Sequence, residues 1–305
     1  MAKVLICDPV SEDALDVVRK AGHEVMVKTG MDQDTLIGVA PGFDAMVVRS
    51  ATKVRVPVLD AAKTSLKLVV RGGVGVDSID VEHAEALGIA VKNTPAASSV
   101  AVAELAMGHM LACCRGITGA DRTMKEGLWD KKTFSKGLEL YNSTLGLIGF
   151  GRIAKEVAKR AGAFGMNVIF YDPYAGETPS VPGTKTDLDT LCSKADFISL
   201  HIPHNSETNH ILDAGKFGLM KKGVVIVNCG RGGTIDEDAL MAAIEEGRVH
   251  AAALDVFETE PLTGAESPLI GNPKVVASPH MGAGTAGATD RIGAEVAEII
   301  VDFFK

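Results

Sequence analysis

The sequence lacks a C-x-x-C pair among its five cysteines (Cys7, Cys113, Cys114, Cys192, Cys229), and it carries no block of like charges and no low-complexity tract. An odd cysteine count without paired spacing argues against a disulfide framework and for reduced thiols in a reducing compartment. A formal charge of −8 and a pI near 5.5 leave no basic stripe for nucleic acid. The N-terminus "MAKVLICDPV" reaches Asp8 too soon for a signal-peptide core, so a cytoplasmic protein is expected. The longest charge-poor stretch, "NTPAASSVAVAELAMGHMLACC", is rich in alanine and interrupted by Glu104 and His109. A buried helix suits it better than a membrane span. No fixed-period repeat is evident.

What is present is an ordinary globular composition, 46% hydrophobic and 23% charged over 305 residues. That length suggests two domains. Short β-rich runs alternate with helical patterns. "KVLICD", "HEVMVK", "DAMVVRS", "LKLVVRGG" and "IAVKN" are predicted strands. "SEDALDVVRKAG" is a predicted helix with Ser11 as N-cap and Gly22 as stop. The alternation restarts at residue 144 with "TLGLIGF", "NVIFYD", "DFISLHIP", "GVVIVN", "HAAALDVF" and "KVVASPH", and a last amphipathic helix reaches the C-terminus. Apolar strands separated by helices imply parallel sheets covered on both faces. The expected fold is therefore α/β, two doubly wound parallel-sheet domains joined by a long helix.

"LGLIGFGRIAKEVAKR" reads as a strand, a glycine turn and a helix. Gly149 suits the tight turn, Gly151 the approach of a pyrophosphate, and Ala154 is small enough for the third glycine position of the dinucleotide fingerprint. Asp172 ends the next strand, roughly 20 residues on, where a ribose-binding carboxylate is expected. Its charge repels a 2′-phosphate and Pro173-Tyr174 supply no arginine, so NAD is expected over NADP.

Three later segments place polar residues beyond strand ends, where open α/β sheets gather ligands. "NCGRGGTIDEDAL" carries Arg231, "ALDVFETEPL" carries Glu260 and "VVASPHMGAGT" carries His280. An arginine can hold a carboxylate bidentately. A histidine can take and return an alcohol proton, and a glutamate beside it would orient the ring and favour its charged form. Together they suggest hydride chemistry on a hydroxy acid. His201, His204 and His210 complete no ligand pattern, so no metal is expected. Cys113 and Cys114 are read as packing residues. Trp129 is placed in a loop, as an interface contact.

The runs "LGLIGFGRIA", "YDP", "NCGRGG", "ALDVFETEP" and "SPHMGAGT" resemble the D-isomer-specific 2-hydroxyacid dehydrogenases, over nearly the whole chain. The resemblance implies a Rossmann-type NAD domain, residues 98–282, inserted into a flavodoxin-like substrate domain formed by 1–97 and 283–305. It implies Arg231 as substrate anchor, His280 as acid/base and Glu260 as its partner. Cofactor-lining positions would be Val74, Gly149, Gly151, Arg152, Ile153, Asp172, Ile202, Pro203, Cys229, Gly230, Asp255 and Gly282. Gly73 and Gly75 would meet the substrate carboxylate. Ser98 stands where the family often has a polar substrate contact within an asparagine-bearing segment.

"VVRSATKV", "RGGVGVDSID" and "NTPAASSVAVAELAMG" are most similar to members that oxidise 3-phosphoglycerate, a step leading to serine. Another D-2-hydroxy acid, such as glycerate with its partner hydroxypyruvate, is the alternative substrate. A non-catalytic NADH-sensing role is the alternative function. A phosphorylated substrate would be read by Arg49 and Arg71, with Lys131 or Lys132. The resemblance also implies a homodimer formed through the Trp129 region. Because the sequence stops at Lys305, feedback control through a C-terminal extension is not expected.

Overall fold

The computed structural model describes residues 1–176, 181–262 and 267–305. The chain divides into two compact units, Met1–Ala101 with Ala283–Lys305, and Val102–Gly282.

In the first unit, strands β1 (Lys3–Ile6), β2 (Glu24–Val27), β3 (Ala45–Val48), β4 (Leu68–Arg71) and β5 (Ala90–Asn93) alternate with helices α1 (Glu12–Lys20), α2 (Gln33–Val39), α3 (Val56–Ala62) and α4 (Val81–Ala86). The sheet is parallel with order β2-β1-β3-β4-β5, the flavodoxin-like arrangement. Period-two alternation sorts its side chains. Leu5, Met46, Val48 and Val69 pack with Leu36, Val58 and Leu59 on one face. Val4, Ile6, Val47 and Val70 pack on the other with Leu15, Val18, Ile292, Val296 and Ile300. Those last three belong to the C-terminal helix, which therefore completes this unit.

Ser11 does precede α1 in extended conformation, but its hydroxyl makes no capping bond. It sits against α1's partner helix instead, where a Cβ on Gly293 would come within 2.4 Å of its Oγ. Close packing of two helices has taken precedence over the cap. Gly22 ends α1 at φ +90°, a conformation open to glycine at little cost.

Helix α5 (Ser99–Arg115) runs from one unit into the next and is followed by α6 (Ile117–Lys125) and α7 (Lys131–Phe134). Among the described residues no single helix is long and apolar enough to cross a membrane; α5 and α6 pass only as a pair bent by 65°. The "WDKKTF" segment, expected as a loop, forms the single turn α7 because the Asp130 carboxylate accepts the Thr133 amide at its N-terminus.

The second unit holds β6 (Thr144–Ile148), α8 (Arg152–Ala163), β7 (Asn167–Tyr171), β8 (Thr184–Lys185), α9 (Leu188–Lys194), β9 (Phe197–Leu200), α10 (Ala214–Leu219), β10 (Val224–Asn228), α11 (Glu237–Glu245), β11 (Val249–Leu254), α12 (Pro268–Gly271) and β12 (Val275–Ala277). The final helix, α13 (Ala286–Phe303), returns to the first unit. All ladders are parallel, in the order β12-β11-β10-β9-β6-β7-β8. The order reverses between β6 and β9, the crevice where doubly wound sheets bind dinucleotides. Leu145, Leu147, Phe197, Val225 and Val227 face α5 and α8. Ile148, Ile198, Leu200, Val224 and Ile226 face α9, α10 and α11. Strand β8, only two residues long, has no counterpart in the sequence reading: so short a run carries no periodicity.

Candidate active site

Gly149 stands at φ +86°, and a Cβ there would lie 2.6 Å from the His201 carbonyl and 2.7 Å from Ile202 Cγ2. Both its backbone conformation and its neighbours demand glycine. This contact joins the C-terminal ends of β6 and β9 at the reversal of strand order. Gly151 caps α8, and the space a Cβ would enter is open to 4 Å. Ala154, the substituted third position, is fully buried in the helix–strand interface. Open space at a helix N-terminus fits a pyrophosphate. Arg152 is exposed and Ile153 half-buried on the first turn of that helix.

Asp172 Oδ2 accepts the Phe150 amide at 2.8 Å, and Oδ1 accepts the amides of Tyr174 and Ala175 at 2.8 and 3.0 Å. The carboxylate is thus fixed beside the glycine turn with an acceptor position left on Oδ2, which suits a ribose hydroxyl. Gly230 packs at the adjoining strand ends, where a Cβ would meet the carbonyls of Leu200 and Ile202 at 3.3 and 3.4 Å. Cys229 is buried, while Pro203 is exposed. All five cysteines are free, and burial pushes their thiols up, those of Cys7 and Cys113 to about 12.

His280 Nδ1 lies 2.7 Å from Glu260 Oε2, and Glu260 Oε1 accepts the Phe257 amide at 3.0 Å. Burial alone would raise the Glu260 carboxyl. The His280 hydrogen bond, the Phe257 amide and the charges of His280 and Arg231 outweigh it and hold the carboxyl below its ordinary range. The His280 side chain remains 47% exposed, so its ring can be reached from outside. Its backbone is left-handed at φ +50°, an uncommon conformation for a residue with a side chain.

Arg231 follows β10, its guanidinium 2.7 Å from the Gly230 carbonyl. The next residue explains how its loop meets that of Glu260. A Cβ on Gly232 would fall 1.7 Å from the Phe257 carbonyl, so only glycine allows the two backbones this approach. Asp255 is fully buried and accepts the amides of Met281 and Gly282 at 2.9 Å each, besides the Ser278 hydroxyl. Ser278 and its neighbour His109 were not among the residues singled out from sequence. A histidine in an otherwise apolar helix was the available signal.

In the first unit, Arg49 and Arg71 stand at the C-terminal ends of β3 and β4. Arg49's amide is held by the buried Asp8 carboxylate. The Arg71 guanidinium lies over Gly73, in space that a Cβ would occupy. Gly75 is half-buried, and the Val74 carbonyl accepts the Asn93 side-chain amide at 2.5 Å. Ser98 is buried. Lys131 and Lys132, in the second unit, are exposed on α7. His201 Nε2 lies 2.9 Å from Ser199 Oγ, and desolvation lowers its pKa to about 4. His210 pairs with Glu258 at 3.0 Å. Among the described residues no three His, Cys, Asp or Glu side chains are grouped to hold a metal.

Strand order, glycine turn and fixed carboxylate together define a dinucleotide-binding α/β domain. Residues 107–282 match the family described as D-isomer specific 2-hydroxyacid dehydrogenase, NAD binding domain. The chain is 49% identical over 303 residues to D-3-phosphoglycerate dehydrogenase of Methanocaldococcus jannaschii, a match covering 98% of this chain and 57% of that protein. It is 48% identical over 299 residues to hydroxypyruvate reductase of Thermotoga maritima, covering 98% of this chain and 97% of that one. Among solved structures, D-lactate dehydrogenase from Aquifex aeolicus complexed with NAD and lactic acid superimposes with a TM-score of 0.84 at 28% identity, covering 99% of this chain and 95% of that one. The chain belongs to the D-isomer specific 2-hydroxyacid dehydrogenase family, and its cofactor is NAD. It spans little more than half the length of the phosphoglycerate dehydrogenase it matches.

Proposed function

We propose that this chain oxidises D-3-phosphoglycerate to 3-phosphohydroxypyruvate with NAD, a step toward serine. The observation carrying the chemistry is the 2.7 Å contact between His280 and Glu260. With Nδ1 engaged, Nε2 is the atom that takes the C2 hydroxyl proton during oxidation and returns it during reduction. NAD held at the glycine turn and Asp172 would supply the acceptor for the hydride that leaves C2. Arg231 pairs with the substrate carboxylate, and the amides of Gly73, Val74 and Gly75 receive it as well. Val74 and the strand-end residues named above line the cofactor. Asp172 favours NAD over NADP by repelling a 2′-phosphate.

The identity to a phosphoglycerate dehydrogenase supports the phosphorylated substrate, with Arg49 and Arg71 as its phosphate partners. Lys131 and Lys132 supply further positive charge in this reading. A relative of nearly equal length named hydroxypyruvate reductase supports a second reading, in which the unphosphorylated oxo acid is preferred. Following NADH absorbance with both oxo acids separates them. A higher kcat/KM for hydroxypyruvate would overturn the first, and no turnover of any 2-oxo acid would leave an NADH-sensing protein. Pairing of two copies is also proposed. Trp129 is 81% exposed, and Leu128 and the α6 residues Met124 and Ile117 are exposed as well, which supports an interface in this region. Light scattering on the purified protein tests it. Five buried free thiols accord with a reducing, cytoplasmic setting.

A further inference from the structure

A buried polar chain, separate from the His280–Glu260 contact, ends on the same loop. His109 of α5 is 4% exposed, and its Nε2 lies 3.0 Å from Ser278 Oγ. Ser278 Oγ in turn lies 2.5 Å from Asp255 Oδ1. Asp255 then receives three consecutive amides: His280 on its backbone carbonyl at 2.8 Å, Met281 on Oδ1 and Gly282 on Oδ2.

Donor counting fixes the direction of this chain. A carboxylate only accepts, so the Ser278 hydroxyl spends its one proton on Asp255. Its oxygen can then only accept from His109, which must present Nε2–H. The Nε2–H tautomer and the imidazolium both meet that need, and a buried Nδ1 with no acceptor beside it selects the neutral ring. Desolvation lowers the ring's proton affinity further, against the opposing charge of Asp255. The chain is thus polarised one way, His109 to Ser278 to Asp255.

We propose that His109 and Ser278 are positioning residues for the acid–base histidine, holding Asp255 so that it clamps the backbone at 280–282. The left-handed backbone of His280 needs such a restraint from outside. The clamp aims the ring at Glu260. This inference rests on the reading of His280 as the proton-transfer residue.

The test compares His109→Leu, His109→Gln, Ser278→Ala and the double variant His109→Leu/Ser278→Ala, using whichever 2-oxo acid the parent reduces. Misaiming the ring should lower kcat roughly 10- to 100-fold in His109→Leu and in Ser278→Ala. NADH should still bind through Gly149, Gly151 and Asp172, and any rise in its KM, through the Asp255 and Gly282 positions, should be smaller than the fall in kcat. Glutamine can donate in place of Nε2–H, so His109→Gln should recover most of the lost kcat. The double variant should be no worse than either single change.

Unchanged kcat in both single variants, or additive losses in the double, would overturn the inference. A loss in His109→Gln equal to that in His109→Leu would do the same. If His109→Leu fails to fold, the smaller change Ser278→Ala decides the matter by its kcat. If the parent turns over no oxo acid, the proposed function fails by itself. The histidine ring resonances then decide: a His280 signal displaced in Ser278→Ala supports the clamp, and one that stays put removes it.

Discussion

Glu260 holds the His280 ring with one carboxylate oxygen at 2.7 Å while its other oxygen takes an amide from its own loop, that of Phe257. The carboxylate is therefore tethered at both ends, and the imidazole cannot turn without breaking a charge-assisted bond. In the proposed reaction this leaves one ring nitrogen for exchange with the substrate hydroxyl.

Replacing His280 with alanine should slow hydride transfer roughly 10²- to 10⁴-fold, the usual contribution of a positioned acid–base group. NADH should still bind, because the glycine turn and Asp172 lie elsewhere. Stopped-flow absorbance and fluorescence titration measure the two effects separately. An unchanged transfer rate would remove His280 from the chemistry.

Glu260→Gln keeps a hydrogen-bonding side chain but deletes its negative charge. Reduction of an oxo acid needs the protonated ring, and the variant no longer sets a carboxylate charge beside it. Its activity should therefore fail at lower pH than that of the parent as pH rises. The same coupling is visible from the carboxyl side, where the His280 contact helps hold Glu260 below its usual range. A pH profile whose basic limb does not move would mean that the two groups do not share a proton balance.

Arg49→Ala should weaken kcat/KM for 3-phosphohydroxypyruvate by about 10- to 100-fold, the loss of one charge-assisted contact. Hydroxypyruvate, which has no phosphate, should be affected much less. Equal losses for the two would remove Arg49 from phosphate recognition.

Asp172→Asn should raise the ratio of NADP to NAD use by roughly tenfold, since a like charge facing the 2′-phosphate is removed. The ratio of kcat/KM values for the two cofactors reads this directly. No change would assign cofactor choice to other residues.

Two glycines offer a contrast. Gly232→Ala drives a Cβ to 1.7 Å from the Phe257 carbonyl, so the loops of Arg231 and Glu260 must separate. Melting should fall by an amount corresponding to about 1–3 kcal/mol, with activity lost. Gly151→Ala meets nothing within 4 Å in the free protein, so melting should hold while NADH binds more weakly. Undiminished NADH binding by Gly151→Ala would remove this glycine from the cofactor site.

Among the described residues, eleven strands were legible as short apolar runs bounded by turn residues, most plainly β3, β9 and β10, which are buried on both faces. Ser11 is the N-cap its residue type announces, but that its hydroxyl makes no capping bond could not be read, because cap type says nothing of the helix packed close by at Gly293. α7 was missed because a single turn carries no helical period; only the Asp130 cap announces it. The Glu260–His280 contact could be suspected from strand ends and family resemblance. The Asp255 clamp could not, because hydrogen bonds among Ser278, His109 and three successive amides leave no spacing rule in one sequence.

Arg231, Glu260 and His280 all belong to the unit Val102–Gly282, as do Asp255, Ser278 and His109. Their mutual contacts, and the glycine approach that joins their loops, are closed within that one stretch of chain. In the proposed reaction, where Arg49, Arg71 and the 73–75 loop meet the substrate, substitutions in residues 1–101 would retune which hydroxy acid is accepted without altering the His280–Glu260 contact. A library confined to that segment should yield altered substrate preference with the pH profile of the parent intact.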